Sequence, residues 1–391
     1  MKTQVGIVGA GPAGLTLALM LQRAGIESVV LECRSREYVE RRVRAGLLEH
    51  NTVELLHELG VGERLAREGL CHHGIYLRQP GGTQYIDMHE LTGRAITIYG
   101  QQEVVKDLIA ARVTAAGALH FEVADVAVHD IDSERPRITY VHAGERQELE
   151  CDLIAGSDGF HGICRPSIPA GVLSEHEYVY PFSWLGILAQ AAPATDELIY
   201  AWHERGFALY SMRSPTISRL YLQVPADVRI EDWPDERIWS ELQLRLASDG
   251  WRVGEGPIVE KGITPMRSFV CEPLSHGRLF LLGDAAHIVP PTGAKGLNLA
   301  LNDVRLLAPA ICAWYASGST TGLDSYSQTA LRRVWRAQDF SNYMTQLLHR
   351  LGEDPFQQRL QLARLDYLAR SRAAATSLAE NYVGLPAAPD F

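Results

Sequence analysis

No apolar run in this chain is long enough to cross a bilayer; the best, residues 279–282, is soon broken by Asp284 and His287. A secretory leader is not expected either, because a glycine fingerprint already begins at residue 9 where a basic start and an apolar stretch would have to lie. Cysteine is sparse. The six thiols, at 33, 71, 151, 164, 271 and 312, are spaced too widely for a zinc site or a Cys-x-x-Cys pair. They are expected to be reduced thiols of a soluble, cytoplasmic protein that carries no metal. Positive charge is also in deficit: 37 Lys plus Arg against 47 Asp plus Glu leave a net charge of −10, which argues against nucleic acid or an anionic membrane as the main partner. There is no internal repeat and no low-complexity tract.

What is present is 391 residues, 46% of them hydrophobic, enough to bury a large core split over two or three domains. Residues 3–8 read as a buried parallel strand, 12–24 as a helix stopped by Gly25, and 29–31 as a second strand, together a βαβ unit. Helical spacing returns at 49–69 and 101–116, and alternating residues between 119 and 154 suggest strands. From about 176 to 224 short strands with close turns indicate an antiparallel sheet. After a further strand at 278–282, a glycine-rich loop leads into a helix near Lys295, and 325–379 has amphipathic helical spacing. The expected class is α/β, with a Rossmann-like domain at 1–175 that has part of the substrate side inserted in it, an antiparallel-sheet domain at 176–266, a return to the first domain at 267–316 and a helical region at 317–391.

Gly9, Gly11 and Gly14 have G-x-G-x-x-G spacing between the first strand and the first helix. The first glycine turns the chain, the second lets a pyrophosphate approach the backbone, and the third lets helix and strand pack. Glu32 ends the next strand, where a carboxylate can accept hydrogen bonds from a ribose. Asp158 and Asp284 each stand beside a glycine turn; taken alone, each reads more readily as a capping or turn aspartate than as a ligand. A different oddity lies at 207–223, read as two strands joined at Ser214 and Pro215. Side chains two apart on a strand share a face, so Phe207, Leu209, Ser211 and Arg213 point one way, and Arg219 and Tyr221 share a face on the next strand.

In this order the three glycine and aspartate motifs resemble those of the single-component FAD-dependent aromatic hydroxylases. The likeness extends through Arg42, Arg44 and Gly46, Tyr99 and Gln101, His161, Tyr180, Gly206, the run from His287 to Asn298 and the terminal segment 380–386. Within the family it is to the 4-hydroxybenzoate 3-monooxygenases, and it runs from residue 1 to about 386. The resemblance implies a homodimeric flavoprotein, joined through its helical C-terminus, that hydroxylates 4-hydroxybenzoate to 3,4-dihydroxybenzoate with NAD(P)H and O₂ through a C4a-hydroperoxyflavin. A related hydroxylase of another aromatic acid, or a non-catalytic flavin-binding sensor, are the alternatives.

By the same resemblance Ser211, Arg213 and Tyr221 bind the substrate carboxylate, for which a guanidinium fork is a natural bidentate partner. Tyr200 meets the phenol oxygen and begins a proton relay through Tyr382 to His72; without the family, His72 reads as a surface histidine. Pro291 offers its carbonyl to the substrate, and Lys295 is expected to be a counter-charge for anionic flavin and phenolate. FAD contacts are implied for Gly9, Gly11, Gly14, Glu32, Arg42, Arg44, Gln101, Asp158, Asp284, Gly293, Leu297 and Asn298, with Arg219 linked to flavin movement. For the nicotinamide coenzyme the implied residues are Arg34, Tyr38, His161, Arg165 and Arg267. Cys33 stands where NADPH-using members have a basic residue, and Glu37 and Glu40 add negative charge, so NADPH is favoured modestly with NADH possible. Two further departures are Ala13, where a serine is common, and Leu47, where a smaller apolar residue is often found.

Overall fold

The computed structural model describes residues 1–44 and 46–385; Ala45 and residues 386–391, which include Pro386 of the terminal motif, lie outside the described residues. The β1 strand (Lys2–Val8) is buried at most positions because it lies in the middle of a parallel sheet. It pairs with Glu145–Gly156 on one side and with β2 (Ser28–Leu31) on the other, Val5 standing opposite both Leu153 and Ser28. Leu279–Leu281 and Ala118–His120 continue the parallel order outward. The α1 helix (Pro12–Arg23) covers this sheet with Leu15, Leu17, Ala18 and Leu21, all fully buried. Pro12 opens it at no cost, since the first N–H of a helix has no partner within the helix.

The second sheet has eight strands, in the order His287–Ile288, Ile258–Glu272, Ser174–Ala189, Ile217–Pro225, Ala208–Ser214, Leu198–Ala201, Gly74–Gln79 and Gly82–Asp87. The sheet reaches beyond the expected bounds of 176–266, and it also takes in a hairpin from within 1–175, where part of the substrate side is expected. The strand Ile258–Glu272 runs unbroken through residue 266, and the hairpin at 74–87 joins by a parallel pairing of Gly74–Gln79 with Leu198–Ala201. A parallel partner brought from far away in the chain has no tight turn to announce it, so local patterning misses it. A small sheet of Leu47–Leu48, Ile96–Ile98 and Leu70–His72 lies apart from both. Helices Gly296–Ser317, Thr321–Leu348, Pro355–Arg370 and Arg372–Val383 complete the chain. Among the described residues no helix is long and apolar enough to cross a membrane, and no cluster of His, Cys, Asp or Glu is placed to hold a metal.

The hairpin of Ala208–Ser214 and Ile217–Pro225 separates two cores. Ala208, Tyr210, Leu220 and Leu222 pack with Ile238, Trp239 and Leu242 of helix Asp235–Arg245. Phe207, Leu209 and Trp184 instead share a core with Phe340, Met344, Leu378 and Tyr382 of the C-terminal helices. Within that second core His349 is fully buried against Phe182, Trp184 and Phe207, at ring separations of 4.6, 5.7 and 4.3 Å. Its Nδ1 meets the Thr345 carbonyl at 3.0 Å and its Nε2 accepts from Trp184 Nε1 at 2.6 Å, an arrangement that requires the neutral ring.

Burial pushes the His349 pKa from 6.5 down to about 3. Below pH 6.5 the unfolded chain takes up a proton that the folded chain refuses, so this contribution to stability is present above pH 6.5 and lost as pH falls toward 3. The loss is about 1.4 kcal/mol per pH unit. Urea unfolding at pH 7 and pH 5 should therefore show about 2 kcal/mol more acid loss in the wild type than in His349→Gln. Equal losses in both would exclude the buried neutral histidine as the cause.

Candidate active site

The glycine turn between β1 and α1 shows which of its glycines the protein itself requires. A Cβ on Gly9, whose φ is +104°, would sit 2.4 Å from the Ser157 carbonyl oxygen, and one on Gly14 would sit 2.1 Å from the Gly9 oxygen. A Cβ on Gly11 would meet nothing within 4 Å. The space beside Gly11 is thus left for a ligand approaching the backbone at the start of α1, where unpaired N–H groups favour a pyrophosphate. Glu32, just past β2, accepts from the Ala10 and Arg34 N–H groups, each at 2.8 Å, which holds its carboxylate beside this turn.

The two aspartates differ from each other. Asp158 Oδ2 accepts from the Ile163 and Cys164 N–H groups at 2.6 and 2.9 Å, so it does cap the turn that follows. Its Oδ1 is buried without a partner, and burial raises the carboxyl above its ordinary pKa. Asp284 is accessible but enclosed in a cleft; desolvation raises its pKa while His287, Arg44 and Arg42 pull it down. An orphan carboxylate oxygen, an enclosed carboxylate facing Arg42 and Arg44, and the room at Gly11 are chemistry that fits a polyol linked to a pyrophosphate. Gln101 opens the helix Gln101–Thr114 close by, because Tyr99 N–H donates to the Gly46 carbonyl at 2.7 Å.

Gly46 couples this cleft to the second sheet. A Cβ there would lie 2.5 Å from both Gly100 Cα and the Tyr99 oxygen, and 2.6 Å from Arg213 Nη1. On the hairpin, Leu209 stands opposite Tyr221 and Ser211 opposite Arg219, with the register shifting between Met212 and Ser214. Opposed residues share a face, so Leu209, Ser211, Tyr221 and Arg219 are presented together, and the irregularity at Arg213 re-aims its side chain. The Arg213 Nη2 donates to the Arg44 carbonyl, but Nε is buried with no partner. Burial lowers the guanidinium pKa, Tyr221 opposes that effect, and Arg219 adds to it. Arg219 donates from Nε to the Tyr221 hydroxyl at 3.2 Å, and the Ser211 hydroxyl meets the Met212 carbonyl at 3.1 Å.

Tyr200 lies opposite Leu209 on the neighbouring strand and bonds Tyr382 hydroxyl to hydroxyl at 2.5 Å, both rings being buried. Burial raises both phenols, and either hydroxyl of the pair can be the donor. His72 is buried, not at the surface, and its Nδ1 bonds Glu197 at 2.8 Å. Among the described residues no hydrogen bond joins Tyr382 directly to His72.

Lys295 departs from the reading of an open counter-charge. Its Nζ bonds Glu49 Oε1 at 2.5 Å and the Tyr382 carbonyl at 3.1 Å, a buried and neutralised pair. Glu49 was not recognisable from the sequence, because only the fold brings it to Lys295. Asn298 spends its amide on backbone, accepting from Glu49 N–H at 2.9 Å and donating to the Leu47 and Ala294 carbonyls at 3.0 and 2.9 Å. The turn Pro291–Gly293 closes when Ala294 N–H donates to the Pro291 carbonyl at 2.9 Å. Leu297 packs partly buried against the core beneath the parallel sheet and α1.

The residues implied for the coenzyme form two groups. Arg165 and Arg267 both lie 4.8 Å over the Phe160 ring, with the His161 ring 4.9 Å from it. Glu175 and Glu177 pair with the two arginines at 3.2 Å each. Separately, Arg34 and Arg42 flank Tyr38 at 5.1 and 5.9 Å, while Arg36 is occupied by Glu40 at 2.7 Å.

A cleft shaped for a pyrophosphate and a polyol, leading to an unsatisfied guanidinium and a pair of buried phenols, is the arrangement of a flavoprotein that acts on aromatic acids. Residues 2–341 match the FAD binding domain family, and the chain belongs to it. The p-hydroxybenzoate hydroxylase of Acinetobacter baylyi is 50% identical over 389 residues, spanning 99% of this chain and 96% of that one. A 6-hydroxynicotinate 3-monooxygenase of Bordetella bronchiseptica is 23% identical over 90% of this chain and 94% of that one. Among solved structures, p-nitrophenol 4-monooxygenase from Pseudomonas putida shares the fold with a TM-score of 0.84 at 18% identity, over 98% of this chain and 99% of that one. The chain is an FAD-dependent aromatic monooxygenase.

Proposed function

We propose that this enzyme hydroxylates 4-hydroxybenzoate at the carbon ortho to its hydroxyl, giving 3,4-dihydroxybenzoate. The observation that carries this reading is the placement of Arg213 and Tyr200. Tyr200 stands opposite Leu209, and Arg213 follows four residues along the same strand, about 13 Å on at 3.3 Å per residue. Two inward-reaching side chains at that separation suit a ring with a carboxylate at one end and a hydroxyl para to it. One atom of O₂ enters the ring and the other leaves as water, with NAD(P)H supplying two electrons. When bound, FAD would supply the hydride acceptor and the activation of oxygen.

Arg213, helped by Ser211 and Tyr221, holds the carboxylate and supplies the orientation. Tyr200 and Tyr382 share a hydroxyl–hydroxyl bond in which either can donate, so Tyr200 can take the substrate proton as it passes its own to Tyr382, favouring the phenolate, the electron-rich form of the ring. The proton then passes by way of Tyr382 toward His72. Pro291 faces the substrate with its carbonyl, and the Lys295–Glu49 pair lies beneath Tyr382. Gly9, Gly11, Gly14, Glu32, Arg42, Arg44, Gln101, Asp158, Asp284, Gly293, Leu297 and Asn298 would hold the flavin, and Arg219 would accompany its movement. Steady-state NADPH oxidation should rise strongly on adding 4-hydroxybenzoate. Equal oxidation without it would contradict a coenzyme oxidation that depends on bound substrate.

For the coenzyme we place Arg34 on the 2′-phosphate of NADPH, with Tyr38, His161, Arg165 and Arg267 along the rest of the molecule. Arg34 makes no ion pair among the described residues, whereas Arg36 is held by Glu40. Arg34→Ala should raise the KM for NADPH about tenfold and leave that for NADH unchanged, the loss expected for one charge-assisted contact. A parallel rise for both coenzymes would remove Arg34 from the phosphate. The exposed Phe356 and Tyr367 of helix Pro355–Arg370 support a homodimer contact in the C-terminal region. The six free cysteines support a cytoplasmic location.

A further inference from the structure

Only 1% of the His72 side chain is exposed, against 16% for Glu197, so the carboxylate lies on the solvent side of the imidazole. Glu197 Oε2 bonds His72 Nδ1 at 2.8 Å, while Oε1 accepts from the His73 N–H at 3.1 Å and from the Tyr85 hydroxyl at 3.2 Å. Glu197 directly precedes the strand Leu198–Ala201 that carries Tyr200. One stretch of chain therefore supplies both the hydroxyl placed against the substrate and the carboxylate placed against His72.

We propose that Glu197 is a positioning residue of the proton relay, holding His72 with Nδ1–H toward the carboxylate and so leaving Nε2 to receive the proton. This rests on the relay reading given above. The substrate O–H bond breaks and the phenolate keeps the electron pair. Protons shift along the hydroxyls of Tyr200 and Tyr382, and water carries the proton across to His72. An N–H bond forms at Nε2, the imidazolium is stabilised by the Glu197 carboxylate, and the proton leaves from there to solvent. A carboxylate on the far nitrogen is the ordinary means of fixing a histidine tautomer and of favouring its charged form.

The titratable groups around the pair are Cys71, His73 and Tyr85, with Tyr76 and Asp87 beyond Tyr85. Burial and then Glu197 push both the Cys71 thiol and the Tyr85 phenol up, so each stays protonated and Tyr85 acts as a donor to the carboxylate. Three donors on one carboxylate immobilise it, which is what a positioning group needs and more than a simple tie between strands requires.

The test is stopped-flow proton release, followed with a pH indicator, when 4-hydroxybenzoate binds to the holoenzyme. Glu197→Gln is expected to slow release about tenfold or more while leaving the substrate Kd unchanged. Glu197→Asp, which keeps the charge, is expected to fall between it and the wild type, and it serves in its place if Glu197→Gln does not fold. A wild-type rate in the Glu197 variant beside a slow His72→Gln would overturn the role of Glu197 and leave the relay standing. Wild-type rates in both would overturn the relay and this inference with it.

Discussion

Arg213→Ala is expected to raise the KM for 4-hydroxybenzoate about a hundredfold or more. The guanidinium is desolvated, which lowers its pKa, and among the described residues Nε has no partner. Among them, too, no acidic side chain bonds it, and the Arg44 carbonyl takes up one nitrogen. A buried cation in that condition awaits an anion, and a carboxylate delivered by the substrate satisfies it with two parallel bonds. Arg213→Lys should recover little of the loss, because an ammonium offers a point charge in place of a planar fork. The measurement is initial-rate kinetics over a wide substrate range. A KM within threefold of wild type would mean that the carboxylate is held elsewhere.

Tyr200→Phe should act on the chemistry and spare binding. Product formed per NADPH oxidised is expected to collapse, with hydroxylation slowed about a hundredfold, the scale of a lost general acid–base partner. The change removes one oxygen and leaves the ring, which is packed 6.1 Å from Phe207 and 6.2 Å from Tyr382. The substrate KM should therefore stay near the wild-type value. What disappears is the hydroxyl that stabilises the phenolate, together with the hydrogen-bond partner of the Tyr382 hydroxyl. If product yield survived in this variant, Tyr200 would have no part in activating the ring.

How far the site is legible in the sequence depends on what fixes each residue. Gly9 and Gly14 are legible because backbone crowding excludes every other side chain, so the constraint is written in the residue type itself. Strand alternation is equally local and puts Leu209, Ser211 and Tyr221 on the correct face. The irregularity at Arg213 is not legible, nor is the hairpin at 74–87, since each is decided by partners from elsewhere in the chain.

The same holds for the two carboxylates that complete the ionisable pairs. Glu49 meets Lys295 across 246 residues and Glu197 meets His72 across 125, separations over which sequence pattern carries no signal. Nothing local in the sequence shows that Lys295 is paired with a carboxylate, and His72 taken without the family reads as a surface group. Asp158 shows the reverse case. Capping and cofactor-binding readings were both open, and the side chain satisfies the first with one oxygen while leaving the other for the second.

The central claim is that an aromatic acid held between Arg213 and Tyr200 is hydroxylated with oxygen from O₂. It is tested most directly by turning over 4-hydroxybenzoate with NADPH under ¹⁸O₂ and analysing the product by mass spectrometry. The account predicts 3,4-dihydroxybenzoate carrying one ¹⁸O atom at the new hydroxyl. Unlabelled product, or NADPH consumed with peroxide as the only reduced oxygen species, would contradict it.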